Sequence, residues 1–485
     1  MGNRKGCFEF RAACRLFGAA AFAVFASAFF VACDNGGGSA GYDFEIVGDS
    51  SADTSQPGVD ASSDAALSSD ADLSSDAQPA SSSFLEPPHS SSILWDPYPS
   101  SSSFFGLRRS SDSNPGLSSS SVVPPQSSAV QSADAPIEFP FYTGADISTV
   151  QEYERNRTKF YDVDGSEKDI FTLLKDHGFN AIRLKTFVDP KAKYGYAAAG
   201  CEHDAEAYAD KEHIVAYAQK IKAAGMAFLL DIHYSDNWAD PGKQIIPERW
   251  RKVNSADVLA DSVYAYTADL MKALKQVNAL PAMVQVGNET TPGILIHVPN
   301  SKTDCWGNGV DKASTAINGD MGTASGKANA AKYFKAGIKA VKEVSPSTKT
   351  VLHIERIRQS NTVTWWMQEI FDNQKVPADV MGFSAYTAYG DKSPDDWKSL
   401  FQTVTSKYSK LEFIVAEYNG GDSGNHYNYD GSRKRTNEMV KGMDRWIGSF
   451  FWEPTLSGAW GPALFDWKGN DLYANSKAFE EFPKK

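Results

Sequence analysis

Cysteine is scarce in this chain of 485 residues, and its placement limits what the thiols can do. Of five cysteines, Cys7, Cys14 and Cys33 lie within the first 33 residues, which leaves Cys201 and Cys305 for the remainder. There is no Cys-x-x-Cys pair or His/Cys cluster with zinc-ligand spacing, which excludes a structural zinc site of the usual kind. In an exported protein the two remaining cysteines permit one disulfide, with two free thiols as the alternative.

The chain also has no apolar run long enough for a typical membrane-spanning helix. Its longest run, residues 16–30, holds about 15 residues, whereas a bilayer needs roughly 20. Basic residues precede this run, as they do in a secretory signal peptide: Arg4, Lys5, Arg11 and Arg15. We therefore predict that residues 1–33 are an export signal.

The end of this leader, residues 30–33, reads Phe-Val-Ala-Cys and resembles a bacterial lipobox, in which the cysteine is lipidated and becomes the new N-terminus. Phe30 stands where that pattern prefers leucine, so ordinary cleavage is the alternative. With lipidation, membrane contact would come only through the lipid on Cys33, and the protein would stay at the cell surface or outer membrane. With ordinary cleavage it would be secreted.

Residues 34–135 contain few apolar side chains and many Ser, Asp, Ala and Pro residues. Such a segment buries too little apolar area to offset the entropy lost on ordering, so we predict a disordered linker. A flexible chain of about 100 residues has a root-mean-square reach of roughly 50–60 Å. This linker would act as a tether for a folded domain at residues 136–485.

The predicted folded domain lacks a strong net charge. The linker alone contributes −12 and the leader +3, so residues 136–485 carry −3 of the chain's −12. A nearly neutral domain argues against a polyanionic partner such as nucleic acid. A neutral glycan fits better, because the ten tryptophans of this region offer ring faces on which sugars stack.

Short β-rich runs alternate with amphipathic helical stretches after residue 136. The predicted strands are Phe141–Asp146, Ala181–Phe187, Ala227–His233, Ala282–Gly287, Thr350–Ile354, Val380–Tyr386, Glu412–Ala416 and Ile447–Trp452. Helices are predicted at Lys211–Ala224, ended by Gly225, and at Lys327–Glu343. Eight strands in such an alternation predict a single (β/α)8 TIM barrel of the α/β class. An open doubly wound sheet is the alternative, but no Gly-rich phosphate fingerprint follows the first strand.

Two glutamates follow apolar strand runs and are the main candidates for chemistry. Glu289 ends the fourth predicted strand and Glu417 the seventh. A carboxylate there is costly unless it faces a cleft or a partner, and in a barrel these two strand ends lie across the mouth. Glycosidic bond cleavage with retention needs such a pair, so we assign Glu289 as proton donor and Glu417 as nucleophile. Two unrelated acids in buried ion pairs are the alternative.

Five further residues at strand ends are candidates for substrate binding: Arg183, His233, Asn288, Tyr386 and Trp452. Arg183 can hold the nucleophile as an anion, and the amide of Asn288 can donate to a sugar 2-hydroxyl. His233 and Tyr386 can bond to Glu417 or to substrate, and the Trp452 ring can form a floor beneath the sugar. For each the alternative is an internal role in the barrel or a turn. His353 is a weaker candidate.

Residues 231–241 form a distinctive block that reads Asp-Ile-His-Tyr-Ser-Asp-Asn-Trp-Ala-Asp-Pro. This block resembles that of glycoside hydrolase family 53, the endo-β-1,4-galactanases that cut arabinogalactan, and differs from it only at Ile232. Residues 144–148, 286–289 and 451–454 are similar to the family's first strand, its acid/base motif and its last strand. The resemblance spans roughly residues 140–480, and it implies a retaining mechanism and β-1,4-galactan as substrate.

The chain departs from the family pattern around these motifs. Strand two reads Arg183-Leu-Lys185-Thr-Phe187 instead of Arg-x-Arg-Val-Trp, and Ile294-Leu-Ile296 replaces a Leu-Leu-Trp sugar platform. We therefore expect the preference of this protein for linkage or chain length to differ from that of typical family members. No cofactor or metal is expected. Some members carry calcium in a late loop, but the spacing within Asp422–Asp430 does not make a convincing site.

Two other functions remain open on the sequence alone. The altered platform residues are compatible with another retaining endo-glycanase of the same clan, such as a mannanase or a glucanase. A surface lipoprotein that captures glycan without cutting it is the third hypothesis. A binder has no need for a proton donor opposite a nucleophile, so the pair Glu289 and Glu417 argues against it.

Overall fold

A computed structural model describes residues 135–201, 208–420, 431–458 and 460–482 of the chain. The predicted export signal, the cysteine at 33, the linker and the loop 422–430 considered for calcium lie outside these residues. Among the described residues, none of the helices combines the length and the apolar character needed to cross a bilayer.

Eight parallel strands form a closed barrel, which confirms the predicted fold class and rules out the open sheet. In chain order they are β1 (Tyr142–Asp146), β2 (Ala181–Thr186), β3 (Ala227–Ile232), β4 (Met283–Val286), β5 (Lys349–Ile354), β6 (Val380–Ala385), β7 (Glu412–Tyr418) and β8 (Trp446–Trp452). Each strand pairs with its neighbours in sequence, and β1 pairs with both β2 and β8 to close the ring.

Helices surround the barrel or lie between its strands. They are α1 (Val150–Arg155), α2 (Ile170–Asp176), α3 (Lys211–Ala223), α4 (Ala256–Gln276), α5 (Ala324–Val344), α6 (Ser360–Met367), α7 (Pro394–Lys407), α8 (Ser432–Lys441) and α9 (Ser476–Phe479). Gly225, with φ of 70°, follows the end of α3 as predicted. Helix α5 begins earlier than predicted because the Thr323 hydroxyl accepts the Gly326 amide and caps its first turn.

Several short strands lie in the loops outside the barrel. Phe465–Lys468, Asp471–Ala474, Phe160–Tyr161 and Glu167–Lys168 form a four-stranded sheet, while Gly293–Ile294 pairs with Gly319–Asp320 and His297–Pro299 with Val310–Lys312. Single helical turns occur at Glu248–Trp250 and Thr387–Tyr389, and a π-helical turn at Gln368–Asn373. Cys201 and Cys305 form a disulfide with a Cα–Cα distance of 5.6 Å, which settles the alternatives left open by the sequence.

Apolar side chains packed inside the barrel fill its interior. Its apolar interior includes Tyr142, Leu229, Met283 and Phe450, all at most 2% exposed. A Cβ on Gly144 would lie 2.1 Å from the Phe450 ring, so the glycine makes room for this ring. Above this layer the strands end in charged and polar residues, and these form the mouth of the barrel.

Candidate active site

Glu289 lies just beyond β4 and turns into the mouth of the barrel. The chain reverses here, with φ of 90° at Gly287 and 45° at Glu289, a backbone region that non-glycine residues seldom occupy. The Glu289 side chain is partly buried, and its Oε1 accepts a hydrogen bond of 2.7 Å from the Ser384 hydroxyl on β6. Backbone strain of this kind is concentrated at functional sites in proteins.

Glu417 lies on β7 and is 4% exposed. Its Oε1 is 2.8 Å from Nη2 of Arg183, and its Oε2 accepts a hydrogen bond of 2.8 Å from the Tyr386 hydroxyl. The carboxylate is thus held on one side by a cation and on the other by a neutral donor. These are the contacts that the sequence analysis considered for Arg183 and Tyr386.

Arg183 is fully buried at the centre of a charged network. Its Nη1 is 2.8 Å from Asp146 Oδ2, and its Nη2 is 2.9 Å from Asp231 Oδ2. The same Nη2 donates to Gln285 Oε1 and to Asn288 Oδ1, each at 3.2 Å. Several acceptors therefore fix one guanidinium, which in turn fixes the position of Glu417.

Asn288 lies directly before Glu289 and is 5% exposed. Its Nδ2 donates one hydrogen bond of 2.9 Å to the Ala239 carbonyl, which leaves the second amide hydrogen without a partner among the described residues. Its Oδ1 faces Arg183 and lies 3.0 Å from His353 Nδ1. An amide can therefore be fixed by the protein and still donate to a sugar hydroxyl.

Both histidine candidates have their ring nitrogens directed at protein groups. His233 Nε2 is 3.0 Å from Asp231 Oδ2, and its Nδ1 accepts the Ala239 amide at 2.9 Å. His353 lies between Asn288 and the Ser384 hydroxyl, 2.9 Å from its Nε2. Burial lowers the pKa of His353 well below its usual range. These contacts favour the internal role for both rings, which orient polar neighbours rather than touch sugar.

Trp452 ends β8 and stands half-buried at the mouth. The Arg183 guanidinium carbon is 5.7 Å from its ring centroid, and the Trp238 ring lies 6.0 Å away. The rings of Phe187 and Tyr196 lie close by, with centroids 5.9 and 6.2 Å from that of Trp238. We call these four rings, of Trp452, Trp238, Phe187 and Tyr196, the aromatic wall. The wall occupies the side of the mouth formed by β8, β2 and the loop after β3.

The environments of the two glutamates differ in charge. Burial raises the pKa of Glu289 well above its usual range, and the negative charge of Glu417 raises it further. Burial also raises the pKa of Glu417, to about 7, while the positive charge of Arg183 acts in the opposite direction. Because only Glu417 touches a cation, a proton shared by the pair resides on Glu289.

Several residues of the site are not evident from the sequence alone. Asp231 and Gln285 point into the barrel and contact Arg183, yet in the sequence they are single polar residues within apolar strands. Ser384 lies within an apolar run and carries no motif of its own in the sequence. Period-two alternation within β6 would have placed Ser384 on the same face as Tyr386. Tyr389, in the turn after β6, is 37% exposed with its ring 5.3 Å from that of Tyr386.

The profile of glycosyl hydrolase family 53 matches residues 142–482. Arabinogalactan endo-β-1,4-galactanase of Cellvibrio japonicus (strain Ueda107) is 30% identical over 286 residues, covering 57% of this chain and 65% of that protein. An uncharacterized protein of Niallia circulans is 36% identical over 247 residues, covering 51% and 59%. The match thus spans less than two thirds of the length of either relative.

Solved structures show the same fold. The GH53 catalytic domain of Ignisphaera aggregans superposes with a TM-score of 0.55 and 27% identity, covering 72% of this chain and 98% of that domain. A fungal β-1,4-galactanase superposes with a TM-score of 0.56 at 24% identity, covering 70% and 98%. The first likeness extends to sequence, and the second concerns the fold alone.

Proposed function

The chain belongs to glycosyl hydrolase family 53, and from this premise we propose that it hydrolyses internal β-1,4-galactosidic bonds of galactan with retention of configuration. The observation that carries the proposal is the unequal pair of glutamates at the barrel mouth. Glu417 is held by Arg183 and Tyr386, whereas Glu289 touches a serine and has no cation partner among the described residues.

The first chemical step uses both glutamates. Glu417 attacks the anomeric carbon, and Glu289 gives its proton to the departing glycosidic oxygen as the old bond breaks. The Tyr386 hydroxyl and Arg183 orient the attacking carboxylate, while the free amide hydrogen of Asn288 can donate to the sugar 2-hydroxyl. The half-buried Trp452 ring supports the sugar from below.

The second step reverses the role of Glu289. As a carboxylate it takes a proton from water, whose oxygen attacks the anomeric carbon and displaces Glu417. Two inversions at the same carbon restore the original configuration. Burial and the charge of Glu417 both raise the pKa of Glu289, which suits a group that must give and take one proton.

Removal of the nucleophile tests this proposal. We expect Glu417→Ala in the full chain to lower galactan hydrolysis by about a thousandfold or more, because no carboxylate remains to form the intermediate. Added azide should restore turnover and give product of inverted configuration, measured by NMR. Glu412→Ala is the matched control, since Glu412 begins the same strand at the opposite end of the barrel and pairs with Lys349. Full activity of Glu417→Ala would end the assignment.

A digestion panel separates the proposed substrate from the alternatives. The full chain is incubated with potato galactan, mannan and β-glucan, and oligosaccharide release is followed by chromatography. Release from galactan alone is the expected result. Release from mannan or glucan would favour another glycanase of the clan, for which the altered platform residues Ile294–Ile296 are the support. Binding without release from any glycan would favour a capture protein.

We further propose that the protein is exported and held at the membrane by a lipid on Cys33. The support is the basic and apolar leader followed by Phe-Val-Ala-Cys, together with the Ser- and Asp-rich linker that follows. Palmitate labelling of cells that express the full chain should mark the protein. Cys33→Ser should abolish the label and prevent retention in the membrane fraction. An unlabelled wild-type protein in the medium would favour ordinary secretion.

A further inference from the structure

Two buried charged side chains that the reaction does not use lie beside the catalytic network. Lys185 is on β2 and Glu453 follows β8 directly. Strand β1 separates them, and its last residue, Asp146, is in register with both Arg183 and Trp452. Lys185 and Glu453 therefore project from two neighbouring places on the same rim of the mouth.

Lys185 is 4% exposed, and its ammonium lacks an acidic partner within ion-pair distance in the described part of the chain. Its backbone amide donates to the Ser148 hydroxyl at 2.9 Å, which fixes the strand. The Nζ atom lies 4.4 Å from the centroid of the Trp238 ring, and none of the described residues accepts a hydrogen bond from it. Burial lowers the pKa of Lys185, and the charge of Glu453 acts against this.

Glu453 is 3% exposed and has φ of 50°, so the backbone is held in a strained turn at this acid. Its Oε2 accepts a hydrogen bond of 2.8 Å from the Thr149 hydroxyl. Its Oε1 has no hydrogen-bond donor among the residues that the structure describes. Burial raises the pKa of Glu453 to about 7, and the positive charge of Lys185 opposes the rise.

A free donor and a free acceptor thus stand near each other, next to the aromatic wall. Polar groups in the interior of a protein are normally paired, so a ligand that pairs with these two groups is favoured. A sugar hydroxyl satisfies both groups at once, because its oxygen accepts one hydrogen bond and its hydrogen donates another. The Trp238 ring, 6.0 Å from the Trp452 ring, supplies an apolar face beside them.

We propose that Lys185 and Glu453 together bind one hydroxyl of the second sugar unit from the cleavage point, counted towards the non-reducing end. This inference rests on the proposed function. The side follows from the barrel order, because Glu289, Ser384 and Tyr389 come from β4 and β6 and lie where the leaving sugar must be. Lys185, Glu453 and the aromatic wall lie on the opposite side of the mouth.

The test compares substrates that do and do not fill this subsite. Dinitrophenyl β-galactobioside places a second sugar there, and dinitrophenyl β-galactoside does not. We expect Lys185→Met and Glu453→Gln each to lower kcat/KM for the bioside about ten- to a hundredfold, because a hydrogen bond to a charged group is lost. The value for the monoside should change less than about twofold, and Lys185→Arg should recover part of the loss.

A second readout does not require turnover. Calorimetric binding of galactobiose should weaken by the same factor in Lys185→Met, while Lys332→Met, an exposed lysine paired with Asp257 on the outer surface, should bind as the wild type does. An equal fall for bioside and monoside with a lower melting temperature would make the two residues structural and overturn the proposal. A fall in kcat/KM only for oligosaccharides, whose leaving group is a sugar, would place Lys185 and Glu453 on the leaving-group side of the cleavage point instead.

Failure of the proposed function gives a different pattern. If the wild type cuts mannan or glucan instead of galactan, the same variants are compared on the aryl glycosides of that sugar. A larger fall in kcat/KM for the two-sugar glycoside than for the one-sugar glycoside then supports the subsite, and equal falls contradict it. If the wild type cuts no glycan, calorimetry with the disaccharide it captures decides, and unchanged binding in Lys185→Met would overturn the inference.

Discussion

At the scale of single residues, the site works through the different neighbours of two identical side chains. Glu417 contacts Arg183 at 2.8 Å, whereas Glu289 contacts the Ser384 hydroxyl at 2.7 Å. A cation stabilises the carboxylate form far more than a hydroxyl does. The fold thereby separates the proton donor from the nucleophile without any difference in residue type.

Ser384 offers a test of this separation. Its hydroxyl donates to Glu289 Oε1 and favours the ionised form, so Ser384→Ala should raise the pKa of Glu289 further. The protonated acid then persists to higher pH, and the basic limb of the kcat/KM profile moves upward. We expect kcat at the optimum to fall about tenfold as the carboxyl loses its orientation. A pH–rate profile of Ser384→Ala against wild type measures both effects.

The matched control is Ser432→Ala, a buried serine on α8 and remote from Glu289 in the fold. It should leave the position of the basic limb unchanged. A downward movement of that limb in Ser384→Ala would contradict the proposed hydrogen bond. A fall in kcat with no movement of the limb would show that Ser384 orients the acid without affecting its proton.

Sequence reasoning reached the charged residues of the site more easily than their neutral partners. An acid or arginine at the end of an apolar run is costly to bury, so Glu289, Glu417 and Arg183 were visible as candidates. Burying a neutral side chain such as that of Ser384 or Gln285 costs less free energy than burying a charge, so neither residue stands out in the sequence. Their importance comes from what lies across the barrel, which depends on register and closure rather than on the local pattern.

At the scale of elements, the barrel strands were predictable and the loops after them were not. The observed limits of β2 and β6 differ by one residue from those predicted, because buried parallel strands are continuous apolar runs. The turns at the mouth depend on left-handed residues such as Tyr234, Glu289 and Glu453, which are not glycines. Propensity argues against these conformations, so only the tertiary structure fixes them.

The turn after β6 shows what such loops contribute. Thr387–Tyr389 forms one helical turn that is closed on both sides, since the Tyr386 amide donates to Asp391 Oδ2 and the Asp391 amide donates to the Tyr386 carbonyl. An exposed aromatic ring on a closed turn suits stacking against a sugar. Tyr389 lies on the leaving-group side, where the sequence lacks the usual Leu-Leu-Trp platform.

We expect Tyr389→Ala to raise KM for galactotetraose about tenfold with a smaller change in kcat, because stacking area is lost on the leaving-group side. Tyr389→Phe keeps the ring and should stay close to wild type. Hydrolysis of the aryl galactobioside should be little affected, since its leaving group is not a sugar. Equal losses on both substrates would place Tyr389 elsewhere, and so would a Tyr389→Phe variant as impaired as Tyr389→Ala.

At the scale of the whole molecule, acids of the barrel dominate its expected response to pH. Within the described parts of the chain, burial raises the pKa of six of them: Glu289, Glu355, Glu417, Glu453, Asp236 and Asp391. The pKa of Asp236 and of Asp391 rises from 3.8 to about 6, and that of Glu453 from 4.5 to about 7. In each case the folded state binds the proton more tightly than the unfolded state does.

The sign of the effect on stability follows from this difference in proton binding. A raised pKa in the folded state adds stability that is complete below the unfolded pKa, near 4, and is lost as pH rises through the folded pKa, near 6 to 7. The change for Asp236 alone corresponds to about 3 kcal/mol. Asp162, with its pKa lowered to about 2, acts the other way only as pH falls towards that value. His353 also acts the other way, because burial lowers its pKa well below 6.5 and the folded state then loses stability as pH falls below that value. The six raised acids outnumber these opposing groups, so the stability maximum should lie on the acid side of neutrality.

Thermal unfolding of the full chain should show this maximum, with a higher melting temperature at pH 5 than at pH 8. Glu453→Gln removes one titrating proton, so the melting temperature of this variant should change less between pH 5 and pH 8. Glu438 is an exposed acid on α8, and Glu438→Gln should leave the dependence of the melting temperature on pH unchanged. A melting temperature that rises from pH 5 to pH 8 would contradict the assignment. It would mean that the folded barrel holds these acids as anions, and that the cations at its mouth outweigh the cost of burial.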